Sequence, residues 1–204
     1  RVPWSKARDA AAQKAFERLD WHLERTEQRT GRKIRIAVEP EPGCVLEMTG
    51  QAPAWLSRYA SPYGGASRIG LGFDTCHLAV QFEEPDDAFE TLWRAGVDVV
   101  KAQLSAAPQL VDTFDTAARR RLAELGDPRY LRQVREWCGP GVDDVDLVYQ
   151  LSGHAAWRMH AHVPAHSALP DPLTGTNAVL EDCLTRLVGC GQPLTHHLES
   201  ETYA

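Results

Sequence analysis

Apolar and polar positions recur along the chain in two alternating patterns, which predict helices separated by short strands. Ala12, Phe16, Leu19 and Leu23 are spaced by four, three and four residues, so they form one apolar stripe of a helix. This helix is predicted over 5–30, and Gly31 ends it. Further helices are predicted over about 45–59, 85–95, 109–137 with a break near 126–128, and 176–188.

Strands are predicted where β-branched and other apolar residues run together between turn signals. These stretches are 33–38, 68–73, 97–104, 157–163 and 194–202. Pro40 follows the first strand and Pro164 the fourth, and proline cannot donate a hydrogen bond to a neighbouring strand. Five strands separated by helices predict an α/β fold with a parallel sheet.

The spacing of the predicted strand ends favours a barrel. The steps between them are 35, 29, 59 and 39 residues, counted from Glu39 through Asp74, Gln103 and His162 to Glu201. A (β/α)8 TIM barrel uses about 31 residues per β/α unit, so these steps fit a barrel with one insertion. We therefore expect residues 1–204 to be one domain, the C-terminal five β/α units of a barrel whose N-terminal strands are missing. The alternative is a complete five-stranded doubly wound sheet, although no glycine-rich phosphate loop follows any predicted strand.

Charge and cysteine content narrow the classes of partner. The chain has 22 Lys and Arg against 28 Asp and Glu, a net charge of −6, which is unfavourable for a protein that holds phosphate backbones. For that reason we do not expect nucleic-acid binding. No apolar run approaches the roughly 20 residues that span a bilayer, so we do not expect membrane insertion either. The five cysteines form no C-x-x-C pair, which favours a reducing cytoplasm over a disulfide framework.

Polar groups that can ligate a cation follow every predicted strand. In a parallel α/β fold these positions share the edge of the sheet where ligands bind. Oxygen and imidazole ligands together suit Mn²⁺, Zn²⁺, Fe²⁺ or Mg²⁺. The residues are Glu39 and Glu41, Asp74 and His77, Gln103, His160 and His162, and finally His197, Glu199 and Glu201.

Alternation along a strand places His160 and His162 on the same side of their strand, and Glu199 and Glu201 on the same side of theirs. His162 is nearer its strand end and is the predicted metal ligand, and one of the two histidines could instead be a core residue with satisfied hydrogen bonds. Gln103 is equally compatible with bonding a neighbouring loop.

Several of these motifs resemble a known superfamily. Glu39-Pro40 and the string Asp74-Thr75-Cys76-His77 resemble the metal motifs of the xylose isomerase-like TIM barrels, which include sugar isomerases, epimerases and the endonuclease IV group. Longer strings are closest to the EboE family of metabolite-traffic proteins within that superfamily. They are VEPEPG (38–43), DTCHLAV (74–80), VKAQLS (100–105), HAHVP (160–164) and LESETY (198–203).

The resemblance implies roles for individual residues. Glu39 and Asp74 would be metal carboxylates, His77 a metal ligand or substrate contact, and Glu201 the last metal ligand. Gln103 stands where many members have a histidine ligand. In the sugar epimerases two glutamates exchange the substrate proton, which here would be Glu39 and Glu201 as an acid/base pair.

These observations lead to a first functional hypothesis and two alternatives. The first is a cytoplasmic metabolite-traffic protein that handles a small organic metabolite at a divalent-metal site, with His77 and His160 contacting the metabolite. The second is a metal-dependent sugar isomerase or epimerase that uses Glu39 and Glu201. The third, phosphodiester cleavage as in endonuclease IV, is disfavoured by the negative net charge and by Gln103.

Overall fold

A computed structural model describes residues 4–58, 68–189 and 191–200. Its helices are α1 (Lys6–Thr30), α2 (Ala52–Leu56), α3 (Thr75–Val80), α4 (Pro85–Arg94), α5 (Thr116–Leu125) and α6 (Asn177–Val188), with 3₁₀ turns at Thr49–Gln51 and Val145–Gln150. Its strands are β1 (Ile36–Val38), β2 (Ile69–Asp74), β3 (Val99–Gln103), β4 (Pro108–Leu110), β5 (Val134–Glu136), β6 (Gly141–Val142), β7 (Trp157–Met159), β8 (Thr174–Gly175) and β9 (Leu198–Glu199).

The first helix has the limits that its sequence predicts. The Ser5 hydroxyl accepts a hydrogen bond from the Arg8 amide at the N-terminus, and Gly31 ends the helix with φ of 69°. Leu23 is its buried residue, and Arg68, at the start of β2, forms ion pairs with Asp20 and Glu27 of the helix. Helix α1 therefore lies on the surface, where these ion pairs and the contact of Phe16 with Trp55 of α2 attach it to the rest of the fold.

A four-stranded parallel sheet contains four of the five predicted strands, in the order β1-β2-β3-β9. Residues Asp74 and Gln103 are register partners across β2 and β3, and Gln103 is in turn the partner of Glu199 in β9. Strand β2 is buried along its whole length, as parallel strands covered on both faces are. Its Phe73 stacks on Phe89 of α4 with ring centroids 4.6 Å apart, in a core that also includes Leu187 of α6.

The prediction for residues 104–176 is largely wrong. A second, antiparallel sheet of order β6-β5-β7-β4-β8 is inserted there, between β3 and α6. Only 116–125 of the helix predicted over 109–137 is helical, and the strand predicted over 157–163 pairs in this second sheet rather than in the parallel one. The strands of this sheet are only two or three residues long, too short to show an alternation of apolar and polar positions. Without that signal, the helical pattern of α5 predicts a helix that is too long at both ends.

The second sheet has a core of its own, around Trp157, Met159, Val134 and Leu122. Trp157 is completely buried and its indole nitrogen donates to Glu136. The two sheets are joined by Arg158, whose guanidinium donates at 2.8 Å to the Ala79 carbonyl at the end of α3. Because α3 follows β2 and Arg158 lies in β7, this bond is one of the contacts that connect the two sheets.

The strands of the parallel sheet follow one another in chain order without reversal, and no closed barrel is formed by residues 4–58, 68–189 and 191–200. A doubly wound sheet would reverse its strand order at one point, so that alternative is not supported. In the same described ranges, every helix is too short or too polar to traverse a lipid bilayer.

Candidate metal centre

The carboxyl ends of β1, β2 and β3 bring Glu39, Asp74 and Gln103 together. The Gln103 amide donates to Asp74 Oδ2 at 2.9 Å and to Glu39 Oε1 at 3.4 Å. Its nitrogen therefore faces the two carboxylates, and ligation of a metal by Gln103 would require the amide to turn over. In this arrangement Gln103 positions the carboxylates.

Asp74 also determines how α3 begins. Its Oδ1 accepts a hydrogen bond from the backbone amide of His77 at 2.9 Å, so the carboxylate caps the helix. Because the other oxygen faces Gln103 and lies 3.9 Å from His162 Nδ1, Asp74 connects the sheet edge to the histidines. Its side chain is fully buried.

The proton on His77 can be located from its hydrogen-bond partners. Nδ1 lies 2.9 Å from the Pro40 carbonyl oxygen and 3.2 Å from Glu39 Oε1. Both oxygens accept, so Nδ1 carries the hydrogen and, in the neutral ring, Nε2 carries a lone pair.

His160 is fixed in the same tautomer by Gln133. The Gln133 amide nitrogen donates to the Pro42 carbonyl at 2.9 Å, which leaves its oxygen facing His160 Nδ1 at 2.7 Å. His160 therefore also donates from Nδ1, and in the neutral ring its Nε2 carries a lone pair that faces His77. Gln133 is completely buried, and it is absent from the predicted site because it lies in a segment predicted to be helical.

His162 has a similar supporting residue. Its Nδ1 lies 2.8 Å from the hydroxyl of Ser105, another residue that is absent from the predicted site. The Ser105 amide in turn donates at 3.0 Å to Thr75 Oγ1, next to Asp74. All three imidazoles are thus oriented through Nδ1, as metal-bound histidines are by their outer hydrogen bonds.

The three histidines converge through Nε2. His77 Nε2 lies 2.9 Å from His160 Nε2, which lies 3.3 Å from His162 Nε2. With metal–nitrogen bonds of about 2.0–2.1 Å, nitrogens around one ion lie about 2.9 Å apart in octahedral and about 3.4 Å apart in tetrahedral geometry. These two separations lie in that range.

Protonation of His160 does not relieve the close approach of the two Nε2 lone pairs of His77 and His160 near neutral pH. Burial, together with the charges of neighbouring His77 and His162, lowers the pKa of His160 to about 3. Near neutral pH two buried acceptors would face each other at 2.9 Å, which is unfavourable unless a cation lies between them. The donor set therefore fits a metal ion. Imidazoles suit Zn²⁺ or Fe²⁺ better than Mg²⁺, which prefers oxygen ligands.

Not every predicted residue joins this cluster. Ligand atoms of Glu39, Asp74 and His77 lie within 4.8 Å of one another, as do those of Asp74, Cys76 and His162. Glu199 is exposed and binds Lys101 and His197 instead. Glu201 lies outside the described residues. His166, His196 and His197 are exposed.

Replacing Gln133 should weaken metal binding without removing a ligand. In Gln133→Leu, His160 Nδ1 loses its acceptor, and such outer-shell losses reduce metal affinity about 10- to 100-fold. Gln133→Glu keeps an acceptor for His160 and should bind more tightly than the leucine variant. Competition with a chromophoric chelator measures the affinity, and the exposed Gln150→Leu serves as control. Equal affinities for Gln133→Leu and wild type would mean that His160 is not held in this way.

The low pKa of His160 predicts a pH dependence of stability in the metal-free chain. The unfolded chain takes up this proton near pH 6.5 and the folded chain only near pH 3, so the free energy of unfolding rises with pH between these values. The slope from this group is at most about 1.4 kcal/mol per pH unit. Urea unfolding of wild type and His160→Gln at several pH values measures it. Identical slopes for the two proteins would contradict the depressed pKa.

Comparisons of the chain with protein-family models, curated protein sequences and solved structures each find no match.

Proposed function

We propose that this chain binds one divalent transition-metal ion through Nε2 of His77, His160 and His162, with the Asp74 carboxylate adjacent. The observation that carries the proposal is the 2.9 Å approach of His77 and His160, whose Nδ1 hydrogens are both committed to oxygen acceptors. Zn²⁺ and Fe²⁺ are the preferred ions. Three histidines around zinc leave a fourth position for water or substrate, as in catalytic zinc sites.

The proposed role of the centre is to hold a small organic metabolite, as the resemblance to metabolite-traffic proteins implies. The metal would polarise an oxygen of the bound molecule. Glu39 supports this role because its side chain lies beside His77 and is 26% exposed, in contrast to the fully buried Asp74. Glu39 can therefore meet a ligand from solvent, while its carboxylate accepts a hydrogen bond from the Gln103 amide, which also donates to Asp74.

A metal-dependent isomerase or epimerase is the second candidate, and the same position of Glu39 favours it. In such a reaction Glu39 would take a proton from carbon next to the polarised oxygen. Glu201 would be its proposed partner in proton exchange.

Solvent-proton exchange separates the two functions. If the chain is an isomerase, the metal-loaded protein should incorporate deuterium from D₂O into a ketose or an aldose, and Glu39→Gln should reduce the rate at least about 100-fold. A binding protein should give no incorporation in a panel of ketoses and aldoses, either as wild type or as Glu39→Gln, while retaining its metal. Glu41→Gln is the matched control, since Glu41 follows the same strand and lies outside the histidine cluster.

We also propose that the parallel sheet is an arc of a (β/α)8 barrel. Three observations support this: strand order follows chain order, the α4 helix packs against both α2 and α6, and Glu39, Asp74 and Gln103 lie at the carboxyl ends of the strands. An experimental structure of the intact protein should show a parallel strand against β1. A helix or an antiparallel strand at that edge would contradict the barrel.

A further inference from the structure

A cleft on the second sheet shares two residues with the histidine cluster. It has a volume of about 240 Å³ and lies between segment 125–132, which follows α5, and segment 160–169, which follows β7. His160 and His162 form part of its wall. At about 30 Å³ per water, this space corresponds to about eight waters and therefore suits a small organic molecule.

The cleft has an apolar wall that is open to solvent. Leu125, Tyr130 and Leu131 line it from one side, and residues Tyr130 and Leu131 remain 46% and 54% exposed. Adjacent exposed apolar side chains beside a cavity are typical of ligand-binding sites. A ligand with an apolar body would cover them.

The side-chain charges around the cleft are paired with one another. Arg129 and Asp127 both line it and form an ion pair at 2.6 Å. Arg132 is largely buried and is held in place by Asp144 and Asp146, which lie outside the lining. The positive charge that would favour an anion is therefore that of a metal ion at the histidines, at the end of the cleft formed by His160 and His162.

We propose that this cleft binds a small organic anion with an apolar body, with its carboxylate towards the histidine end and its apolar part against Tyr130 and Leu131. The inference deepens the proposed function, on which it rests for the charge that the metal supplies. It names the ligand class of the metal centre: an aromatic or branched aliphatic acid.

Three related probes test the two halves of such a ligand. Mandelate carries a ring and a 2-hydroxy acid, glycolate has the same acid without the ring, and benzyl alcohol has the ring without the acid. Calorimetry on the zinc-loaded chain should give a dissociation constant for mandelate at least tenfold lower than for either of the others. Tyr130→Ala should weaken mandelate binding at least tenfold. Tyr149→Ala should not, because Tyr149 is 73% exposed and lies outside the cleft.

Zinc titration of the same proteins keeps this proposal separate from the metal proposal. If zinc binds but mandelate binds no better than glycolate, or Tyr130→Ala has no effect, the cleft proposal is overturned and the metal centre stands. If zinc fails to bind but mandelate still binds in a manner that depends on Tyr130, the metal proposal fails and the cleft stands. If neither zinc nor mandelate binds, both proposals are overturned.

Discussion

The His160→Ala variant is expected to lose at least about 100-fold in affinity for Zn²⁺. Its Nε2 is the atom that lies within 3.3 Å of both His77 and His162, so its removal takes away one of three ligands and the link between the other two. The loss should exceed that of an outer-shell variant, which is about 10- to 100-fold. Chelator competition at a pH of about 7.5, where neutral imidazoles can ligate, measures the zinc affinity of both variants.

His166→Ala is the matched control, because His166 lies six residues along the same segment and is exposed. It should bind zinc as wild type does. A circular dichroism spectrum of His160→Ala that matches wild type separates loss of a ligand from loss of the fold. If folded His160→Ala and wild type bound zinc equally, the three-imidazole centre would be excluded.

The Trp157→Ala variant is expected to lower the free energy of unfolding by about 3–5 kcal/mol, the usual cost of removing a buried tryptophan. Trp157 is completely buried in the core of the second sheet, its indole donates to Glu136, and the Arg119 guanidinium lies 4.9 Å from its ring centroid. Denaturant unfolding followed by circular dichroism measures the change.

Trp93→Ala provides the control for this variant. Trp93 is 79% exposed on α4, so its removal should change stability by less than about 0.5 kcal/mol. Equal effects of the two substitutions would mean that 157–159 does not form the central strand of a packed second sheet.

The strands and the first helix of the parallel half are predictable because their signals are local, whereas the helix predicted over about 45–59 is α-helical only at Ala52–Leu56 and α3 is not predicted. Ser5 and Gly31 set the limits of α1, and proline or a change of polarity ends each predicted strand. Glu39 and Asp74 can be placed near each other from the sequence alone, since the carboxyl ends of adjacent parallel strands meet at one edge. The contact through Gln103 follows from the register of β2 and β3.

The histidine cluster is predictable only in part. The sequence predicts His162 as a metal ligand and His160 as a substrate contact, whereas both lie in one cluster with His77. His77 and His160 are separated by 83 residues and belong to different parts of the fold, so no local pattern encodes their contact. Gln133 and Ser105 escape prediction for the same reason: their roles depend on how the inserted sheet packs against α3.

Zinc-edge X-ray absorption on the zinc-loaded chain can decide whether three imidazoles surround a single ion. We expect one ion per chain with three imidazole nitrogens at about 2.0–2.1 Å, and fewer imidazoles in His160→Ala. Two results would contradict the three-histidine centre. One is a coordination shell dominated by sulfur at about 2.3 Å or by oxygen without imidazole, and the other is a chain that retains no zinc.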